Sequence, residues 1–315
     1  MGVTTFATAT MRENHMLSEI AGITRVRMLY LQLLYRCNFS CKTCFHGQLL
    51  KDPAHYTLQE AQSLLAHFRE HYRLDAVTLL GGEPLLYPHI VEISQYAKKL
   101  GLKVEICTNA HPGYRRTIEE LAPTLDKMRV SLDGLEASHD LIRQRGSFRG
   151  ALQMLTLARL NGVDIGATMV VTSRNLQEVV PLAQLLEGYG VRELKLHCLR
   201  LVGNALDNPD LAVTDTTAYA HLHRQIADAD LTIQILYDSD LSPEPPGQAC
   251  PNLVSGGWLD RIESDPAGGL TVSCKAVGRD VHAFRWDKTA ARILYEPREN
   301  DEFQLGIPDV VYQTA

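Results

Sequence analysis

Three cysteines lie within eight residues, in Cys37-Asn-Phe-Ser-Cys41-Lys-Thr-Cys44, directly after an apolar run that predicts a strand. Spacings of four and three residues place three thiols on one short loop, where all can face the same metal group. A 4Fe–4S cluster normally takes four thiolates, so three protein ligands would leave one iron open to a cofactor. Zinc is the alternative, but structural zinc sites close with a fourth Cys or His. His46 follows Cys44 at a spacing that is atypical of those sites.

The other four cysteines, Cys107, Cys198, Cys250 and Cys274, are scattered along the chain. Seven cysteines among 315 residues are too few for a disulfide framework. Isolated thiols usually behave as small buried apolar residues, and Cys107, inside a predicted strand, is assigned to the core. Cys250 follows a proline-rich loop and Cys198 ends a predicted strand, so these two are candidates for a functional role.

The elements that must position the cysteine loop alternate between strand and helix. Apolar, strand-like runs occupy 29–35, 76–80, 103–107, 127–132, 165–172 and 193–199. Helical patterns lie between them, and Thr57 with Glu60 three residues later predicts a capping box at the start of one helix. Six such repeats predict a parallel sheet covered by helices, with ligands at the carboxyl ends of the strands. Periodicity alone leaves open whether the sheet is open or curled into a barrel.

The pattern changes after the sixth strand. A helical pattern near 214–229 and an apolar run at 231–237 lead into a turn-rich stretch at 238–247, interpreted as a linker or lid. Two short apolar runs flank Asp265-Pro-Ala-Gly-Gly269 and predict a β-hairpin. We therefore expect an N-terminal extension over 1–25, the strand–helix domain over 26–240 and a small C-terminal extension over 241–315.

Composition argues against two classes of partner. The formal net charge is −6, so no global basic field exists to attract nucleic acid. No run approaches the ~18 apolar residues of a membrane span, and the first ten residues lack a signal-peptide pattern. The sequence predicts a cytoplasmic protein that contacts neither nucleic acid nor membrane.

The cysteine spacing resembles that of the radical S-adenosylmethionine (radical SAM) superfamily, and further motifs along 25–210 strengthen the resemblance. They are Gly81-Gly82-Glu83-Pro84 after the second strand, Thr108-Asn109 after the third, Ser131-Leu-Asp133-Gly134 with His139-Asp140 and Arg143 after the fourth, and Gly203-Asn204-Ala205 after the sixth. Two positions depart from the family pattern. Ala110 stands where a glycine often follows Thr-Asn, and Thr43 stands where an aromatic residue usually precedes the third cysteine.

The resemblance implies an α/β fold, a partial (β/α)6 radical SAM barrel with a small C-terminal twitch-like extension. It implies that Cys37, Cys41 and Cys44 bind a 4Fe–4S cluster. It also implies that the cofactor S-adenosylmethionine (SAM) contacts Gly81, Gly82, Glu83, Asn109, Ser131 and Arg143, with the last two at its ribose and carboxylate. With Thr43 in place of an aromatic residue, adenine packing is expected to fall to Phe45 or Tyr35. An electron donor such as flavodoxin or ferredoxin would reduce the cluster.

The region from Cys250 to Cys274, with its Gly-x4-Cys segment, resembles the start of the twitch or SPASM extension of this superfamily. That resemblance implies an auxiliary iron–sulfur cluster, for which Cys250, Cys274 and Cys198 are the candidate ligands. No cysteine follows Cys274, so this extension alone does not supply a full ligand set. The auxiliary cluster is therefore one of two uses for these thiols.

The other use is hydrogen return to a substrate radical. Size and cysteine layout resemble the aminoglycoside epimerases of the neomycin C epimerase type, which implies epimerisation of a cationic aminosugar with Cys250 as the hydrogen donor and Cys198 as its rival. One alternative is a radical SAM dehydrogenase of an aminoglycoside or sugar alcohol. Another is a peptide-modifying maturase, although the roughly 25 residues before the first strand are too few for a leader-binding domain. A non-catalytic iron–sulfur or zinc protein is the hypothesis from a different class.

Overall fold

The computed structural model describes residues 20, 23–215, 217–238, 241–243, 253–254, 257–271 and 284–295. The strands are β1 (Arg25–Gln32), β2 (Ala76–Leu80), β3 (Lys103–Thr108), β4 (Lys127–Ser131), β5 (Asp164–Val171), β6 (Glu193–Cys198), β7 (Gln234–Tyr237), β8 (Leu253–Val254), β9 (Trp258–Ser264), β10 (Gly269–Thr271), β11 (Phe284–Asp287) and β12 (Arg292–Tyr295). The helices are α1 (Leu58–Tyr72), α2 (Ile90–Lys99), α3 (Arg115–Leu121), α4 (Glu136–Ile142), α5 (Ser147–Leu160), α6 (Val179–Gly188) and α7 (Ala218–Asp228). Short 3₁₀ turns complete several of the connections.

Helix α1 shows how local sequence signals set these elements. The Thr57 hydroxyl accepts a hydrogen bond from the Glu60 N–H, and the Glu60 carboxylate accepts one from the Thr57 N–H, so the predicted capping box is confirmed. The apolar positions Ala61, Leu64, Leu65, Phe68 and Tyr72 are all buried against the sheet side of the molecule. Such a stripe repeats every three or four residues and fixes which face of a helix packs inward.

The sheet is mostly parallel, as predicted. Its strand order is β12-β11-β10-β9-β1-β2-β3-β4-β5-β6-β7, with β8 paired to β9. All strands from β9 through β1 to β7 run parallel, whereas β10, β11 and β12 are antiparallel to their neighbours. Neighbouring strands β1 to β6 follow one another in sequence with helices between them. The order has two ends, β7 and β12, which is consistent with a partial barrel.

The C-terminal region joins this sheet in a way the sequence did not reveal. The predicted hairpin is present as β9 and β10, and the Asp265 carboxylate closes its turn by accepting from the N–H groups of Ala267 and Gly269. In addition, β9 pairs with β1 in parallel, with Leu29 opposite Ile262. Strand β1 therefore has a hydrogen-bonded neighbour on both sides and leaves no open edge. The predicted boundary near residue 240 stays a prediction.

Charged side chains from three strands form ion pairs on one face of the sheet. Along β3, Val104 and Ile106 are buried in the apolar core, while Glu105 lies on the opposite face with Cys107. Glu105 forms an ion pair with Arg129 of β4, and Arg129 also pairs with Glu193 of β6 over 2.7 Å. A carboxylate that is largely removed from water needs such a partner, and Arg129 provides one for both Glu105 and Glu193. No helix in the described ranges is both long and apolar enough to cross a membrane.

Candidate active site

One cavity collects the cysteine loop and the carboxyl ends of the strands. Parallel strands present these ends at the same edge of the sheet, so residues far apart in sequence meet there. The three predicted ligands of the 4Fe–4S cluster and the six predicted SAM contacts all line it: Cys37, Cys41, Cys44, Gly81, Gly82, Glu83, Asn109, Ser131 and Arg143. The structure therefore brings the predicted set together around one cavity.

The three thiols of the loop are partly buried at the cavity. Burial raises the pKa of Cys37 to about 12 and that of Cys41 to about 11, and it also raises the pKa of Cys44. Among the described residues, no three Cys, His, Asp or Glu side chains converge on a single ion. Three thiols around one cavity fit a cubane, which meets each ligand at a different iron, better than one zinc ion. Iron binding needs the thiolate forms, so cluster assembly releases protons.

The two glycines after β2 allow the chain to pass very close to the start of the cysteine loop. A Cβ on Gly82 would lie 2.1 Å from the carbonyl oxygen of Tyr35, which leaves no room for any side chain. The Gly82 N–H donates to the Leu34 carbonyl over 2.8 Å, and the Glu83 N–H donates to the Arg36 carbonyl over 2.9 Å. These contacts fix the cysteine loop relative to β2.

The Glu83 carboxylate joins the ends of β2 and β3. It accepts hydrogen bonds from the Thr108 hydroxyl over 2.6 Å, the Asn109 N–H over 2.8 Å and the Leu85 N–H over 3.0 Å. The side chain is fully buried, and burial raises the pKa of Glu83 to about 7 against the opposing effect of these donors. With its carboxylate engaged in this way, Glu83 positions the site, and a cofactor contact would fall to its backbone.

Asn109 links the third strand to the cysteine loop. Its side-chain amide donates to the Asn38 side chain over 2.8 Å and lies 3.9 Å from the Cys37 sulfur. Ala110, which follows it, has φ of +53°, a left-handed conformation that glycine adopts freely. The family pattern of glycine at this position thus matches a backbone requirement that this chain meets with alanine.

Arg143 and Asp133 form a buried ion pair beside the cysteines. The Arg143 Nε lies 2.7 Å from the Asp133 carboxylate, and its Nη1 lies 4.0 Å from the Cys41 sulfur. The other Asp133 oxygen accepts from the Val170 N–H over 2.8 Å. Neighbouring Asp133 holds the pKa of Arg143 above its usual value despite burial. Asp133 belongs to the motif after the fourth strand without being one of the predicted site residues, and the structure shows that it orients Arg143.

His139 supports this pair in the neutral form. Burial, together with nearby Arg143, lowers the pKa of His139 to about 3. Its Nδ1 accepts a hydrogen bond from the Asp133 N–H over 3.1 Å, so the proton lies on Nε2, which contacts the Ser147 hydroxyl over 3.0 Å. The histidine of the motif therefore fixes the backbone at Asp133 and does not face the cavity.

The turn after β6 fastens the cysteine loop from the other side. The Asn204 side-chain amide donates to the Cys41 carbonyl over 2.9 Å, and its backbone N–H donates to the Cys44 carbonyl over 2.8 Å. Gly203 has φ of +59°, and a Cβ there would lie 2.4 Å from the Cys44 carbonyl oxygen. The motif that the sequence places after the sixth strand therefore contacts the cysteine loop directly.

Cys107 and Cys198 lie in different surroundings. Cys107 lines the cavity and lies 3.9 Å from the Ser131 hydroxyl, so its assignment to the core was wrong. Cys198 lies 3.5 Å from the hydroxyl of Tyr219 on α7 and packs against the apolar core, so it does not line this cavity. Cys250 and Cys274 lie outside the described residues.

The aromatic side chain that best fits a nucleobase is Phe45. It lines the cavity and is 38% exposed, whereas Tyr35 is buried and is not part of the lining. Phe45 lies over the His46 ring with 4.1 Å between the ring centroids. Further lining residues that the sequence analysis did not predict include Gln32, Thr168 and Val170. Strand alternation was the signal for Thr168 and Val170, which share the inward face of β5.

Comparison with known proteins agrees with this geometry. Residues 31–186 match the family model of the Radical SAM superfamily. The mycofactocin maturase MftC of Mycobacterium tuberculosis (strain ATCC 25618 / H37Rv) is 33% identical over 194 residues, which cover 59% of this chain and 48% of that protein. The PqqA peptide cyclase of Ruegeria pomeroyi is 25% identical over 275 residues, which cover 84% of this chain and 72% of that protein.

Solved structures show the same fold. The crystal structure of Streptococcus suis SuiB bound to S-adenosylmethionine superposes with a TM-score of 0.65 at 16% sequence identity, covering 81% of this chain and 62% of that chain. SuiB bound to its precursor peptide SuiA gives the same TM-score at 15% identity and covers 85% of this chain. The chain spans about half the length of the mycofactocin maturases that it matches.

Proposed function

Because this chain belongs to the radical SAM superfamily, we propose that it is a peptide-modifying enzyme of that superfamily, which abstracts a hydrogen atom from a peptide substrate. The superfamily uses a 4Fe–4S cluster and SAM. When bound next to each other, the cluster and SAM would supply the radical chemistry that removes a hydrogen atom from the substrate. The chain's own residues supply binding, orientation and exclusion of water.

The cavity wall provides groups of the right chemistry for both cofactors. Cys37, Cys41 and Cys44 would hold the cluster. The backbone at Gly81 and Gly82, with the side chain of Asn109, would hold the amino acid part of SAM beside it. Ser131 and Arg143 are proposed to contact its ribose and carboxylate, and Phe45 its adenine. The guanidinium of Arg143 is already oriented by Asp133 over 2.7 Å, which reduces the cost of ordering it when SAM binds.

The main support for a peptide substrate is the extent of the match to the PqqA peptide cyclase. That match covers 84% of this chain, beyond the 31–186 region that the family model recognises. The similarity therefore extends well beyond the residues that the family model matches. The fold neighbour SuiB also has a precursor peptide as its bound partner.

The aminosugar hypotheses rest on other residues. Epimerisation requires a hydrogen donor, and the predicted donor Cys250 lies outside the described residues, so this role stays a prediction. Its rival, Cys198, contacts Tyr219 on α7. Dehydrogenation would need a second electron acceptor, such as an auxiliary cluster with ligands from Cys250, Cys274 or Cys198. The twitch-like extension over 241–315 is part of this proposal and would supply two of those thiols.

The test is a substrate comparison with the reconstituted enzyme. The anaerobic holoenzyme is incubated in deuterated water with SAM, dithionite and either the PqqA precursor peptide, a pool of synthetic precursor peptides, or neomycin-class aminoglycosides. We expect peptides to stimulate 5′-deoxyadenosine formation and to yield a modified peptide by mass spectrometry. A Cys41→Ala variant serves as the control without a complete cluster.

Each other result is informative. An aminoglycoside product that gains one deuterium, and that is lost in Cys250→Ala, would replace the peptide proposal with epimerisation. An aminoglycoside product lighter by two hydrogens would favour dehydrogenation. SAM cleavage that no peptide stimulates would contradict the peptide proposal while leaving the superfamily assignment intact.

A further inference from the structure

One buried side chain in the cavity wall has an unused hydrogen-bonding atom. Gln32, the last residue of β1, lines the cavity and is 3% exposed. Its carboxamide oxygen, Oε1, has no hydrogen-bond partner among the described residues. Buried polar atoms are nearly always paired, so an unpaired one calls for an explanation. A ligand that enters the cavity can supply the missing donor.

The backbone around Gln32 directs its side chain into the cavity. Leu31 and Leu33, on either side of it, are buried in the apolar core, and alternation along the chain therefore places Gln32 on the opposite face. Gln32 pairs in register with Leu80 of β2, and the Leu33 N–H donates to the Leu80 carbonyl over 2.9 Å. These contacts with β2 hold this part of the chain in place, so the carboxamide stays at the cavity wall.

Gln32 belongs to a row of side chains that crosses five strands and lines the cavity. Leu80 of β2, Cys107 of β3, Ser131 of β4 and Thr168 of β5 are its other members. The Cys107 sulfur lies 3.9 Å from the Ser131 hydroxyl, and this hydroxyl accepts from the Thr168 hydroxyl over 3.4 Å. The polar groups of β3, β4 and β5 thus contact one another, whereas the Gln32 oxygen remains available to a ligand.

The charged groups of the cavity wall are already engaged. Among the lining residues in the described part of the chain, Glu83 is the only Asp or Glu, and its carboxylate accepts three hydrogen bonds. Arg143 is the only Lys or Arg there, and it is paired with Asp133. An ammonium group would therefore find no available carboxylate in this wall. A neutral ligand that carries hydrogen-bond donors fits the available oxygen of Gln32 better.

We propose that Gln32 binds the backbone of the substrate, with Oε1 accepting from a peptide N–H and Nε2 donating to a peptide carbonyl. A carboxamide carries an acceptor and two donors, and a residue of an extended peptide presents its own N–H and C=O to the same side. The proposal deepens the proposed function, on which it rests for the class of substrate. Because the contact uses backbone groups, it holds a peptide without reading a particular side chain.

The experiment compares variants at two buried polar positions. Gln32→Met removes both polar atoms and keeps an unbranched side chain of similar length, and Gln32→Leu repeats the loss with another shape. Thr78→Val is the matched control, because Thr78 is buried on β2, donates to the Met28 sulfur over 3.2 Å and does not line the cavity. Urea denaturation checks that all three apoproteins fold. The Gln32 variants should be at least as stable as the wild type, since they remove a buried atom that has no partner.

Two probes are used with the reconstituted, SAM-loaded holoenzyme. The PqqA precursor peptide reports turnover through 5′-deoxyadenosine formation, and N-acetylglycine N-methylamide, a minimal peptide backbone, reports binding by saturation-transfer NMR. We expect the Gln32 variants to raise KM for the precursor peptide about tenfold, which corresponds to the loss of one hydrogen bond, with a smaller change in kcat. Saturation transfer to the amide should fall as well. SAM affinity, measured by equilibrium dialysis, should equal that of the wild type, and Thr78→Val should match the wild type with both probes.

The possible failures are distinguishable. Unchanged KM and unchanged saturation transfer in both Gln32 variants would overturn the proposal, and so would equal losses in Thr78→Val. Weaker SAM binding in the Gln32 variants would assign the carboxamide to the cofactor instead. A wild type that binds the amide through Gln32, but that no peptide stimulates, would contradict the proposed function and leave this binding site in place. Peptide stimulation that does not depend on Gln32 would have the opposite meaning.

Discussion

Asn204 donates a hydrogen bond from its side-chain amide to the carbonyl oxygen of Cys41 over 2.9 Å, and 163 residues separate the two in sequence. Its backbone N–H also donates to the Cys44 carbonyl over 2.8 Å. Two of the three proposed cluster ligands are therefore held by the segment that follows the sixth strand. The cysteine loop therefore contacts a segment from the far end of the strand–helix domain.

Asn204→Ala removes the side-chain half of this contact. We expect the apoprotein to lose about 1 kcal/mol of stability, which is typical of one intramolecular hydrogen bond. We also expect lower iron content after reconstitution, because the carbonyl of Cys41 is no longer fixed. Urea denaturation measures the first effect, and iron analysis with cluster absorbance measures the second.

Asn208→Ala is the matched control. The Asn208 side chain donates to the Asn204 carbonyl over 2.9 Å and makes no hydrogen bond to the cysteine loop. This variant should lose similar stability but keep its iron. Equal iron content in both variants would show that the Asn204 contact does not shape the cluster site.

Gly82→Ala tests the close approach between β2 and the start of the loop. A Cβ there meets the carbonyl oxygens of Tyr35 and Arg36 at 2.1 and 2.4 Å. Because backbone atoms cannot rotate away, the loop must shift, and we expect loss of cluster assembly together with a fall of ~2 kcal/mol or more in stability. Gly188→Ala, where nothing lies within 4 Å of the added carbon, should be neutral or stabilising by ~0.5–1 kcal/mol. Normal cluster loading in Gly82→Ala would contradict the steric argument.

The buried carboxyl group of Glu83 should make the stability of the apoprotein depend on pH. Burial raises the pKa of Glu83 from 4.5 to about 7, so between these values the folded protein binds a proton that the unfolded chain has released. Stability therefore falls as pH rises across this window, by at most roughly 3 kcal/mol from this group. Below about pH 4.5 both states are protonated, and the contribution no longer changes.

Glu83→Gln removes the titrating group. It also places the NH2 group of glutamine beside the N–H and hydroxyl donors that contact the Glu83 carboxylate. The difference in unfolding free energy between wild type and variant should therefore shrink from about pH 5 to about pH 8, measured by urea denaturation of both apoproteins. Asp140→Asn is a matched control, since the Asp140 carboxylate also accepts from backbone N–H groups. A difference between wild type and Glu83→Gln that stays constant with pH would contradict the buried, proton-binding carboxylate.

Local sequence signals predicted the elements but not where the strand ladders end. The second strand runs over 76–80 as predicted, yet β1 covers Arg25–Gln32 and not 29–35. The apolar run continues through Leu33, Leu34 and Tyr35, but these residues are buried beneath the cysteine loop outside the strand. Hydrophobicity reports burial, and burial here extends past the hydrogen-bonded ladder.

In the candidate site, too, the sequence predicted some features and not others. Contiguous motifs identified the cysteine loop and Gly81-Gly82-Glu83. Contacts between distant segments, such as Asn204 with Cys41, leave no local pattern and emerged only from the fold. The sequence could have predicted the position of Cys107, because this residue lies two residues after Glu105 and shares its face of β3. Placing Glu105 inside the barrel would have placed Cys107 there as well.

Arg143 and Asp133 allow a test of the ion pair apart from cofactor binding. In Arg143→Ala the fully buried Asp133 carboxylate loses its partner, and we expect a stability loss of ~3–5 kcal/mol. Asp133→Asn/Arg143→Met should recover much of this loss, because it removes both charges while the asparagine oxygen can still accept from the Val170 N–H. SAM affinity, measured by equilibrium dialysis on the holoprotein, should stay low in the double variant, because the proposed partner of the SAM carboxylate is absent. A double variant that recovers both stability and SAM affinity would limit Arg143 to a structural role.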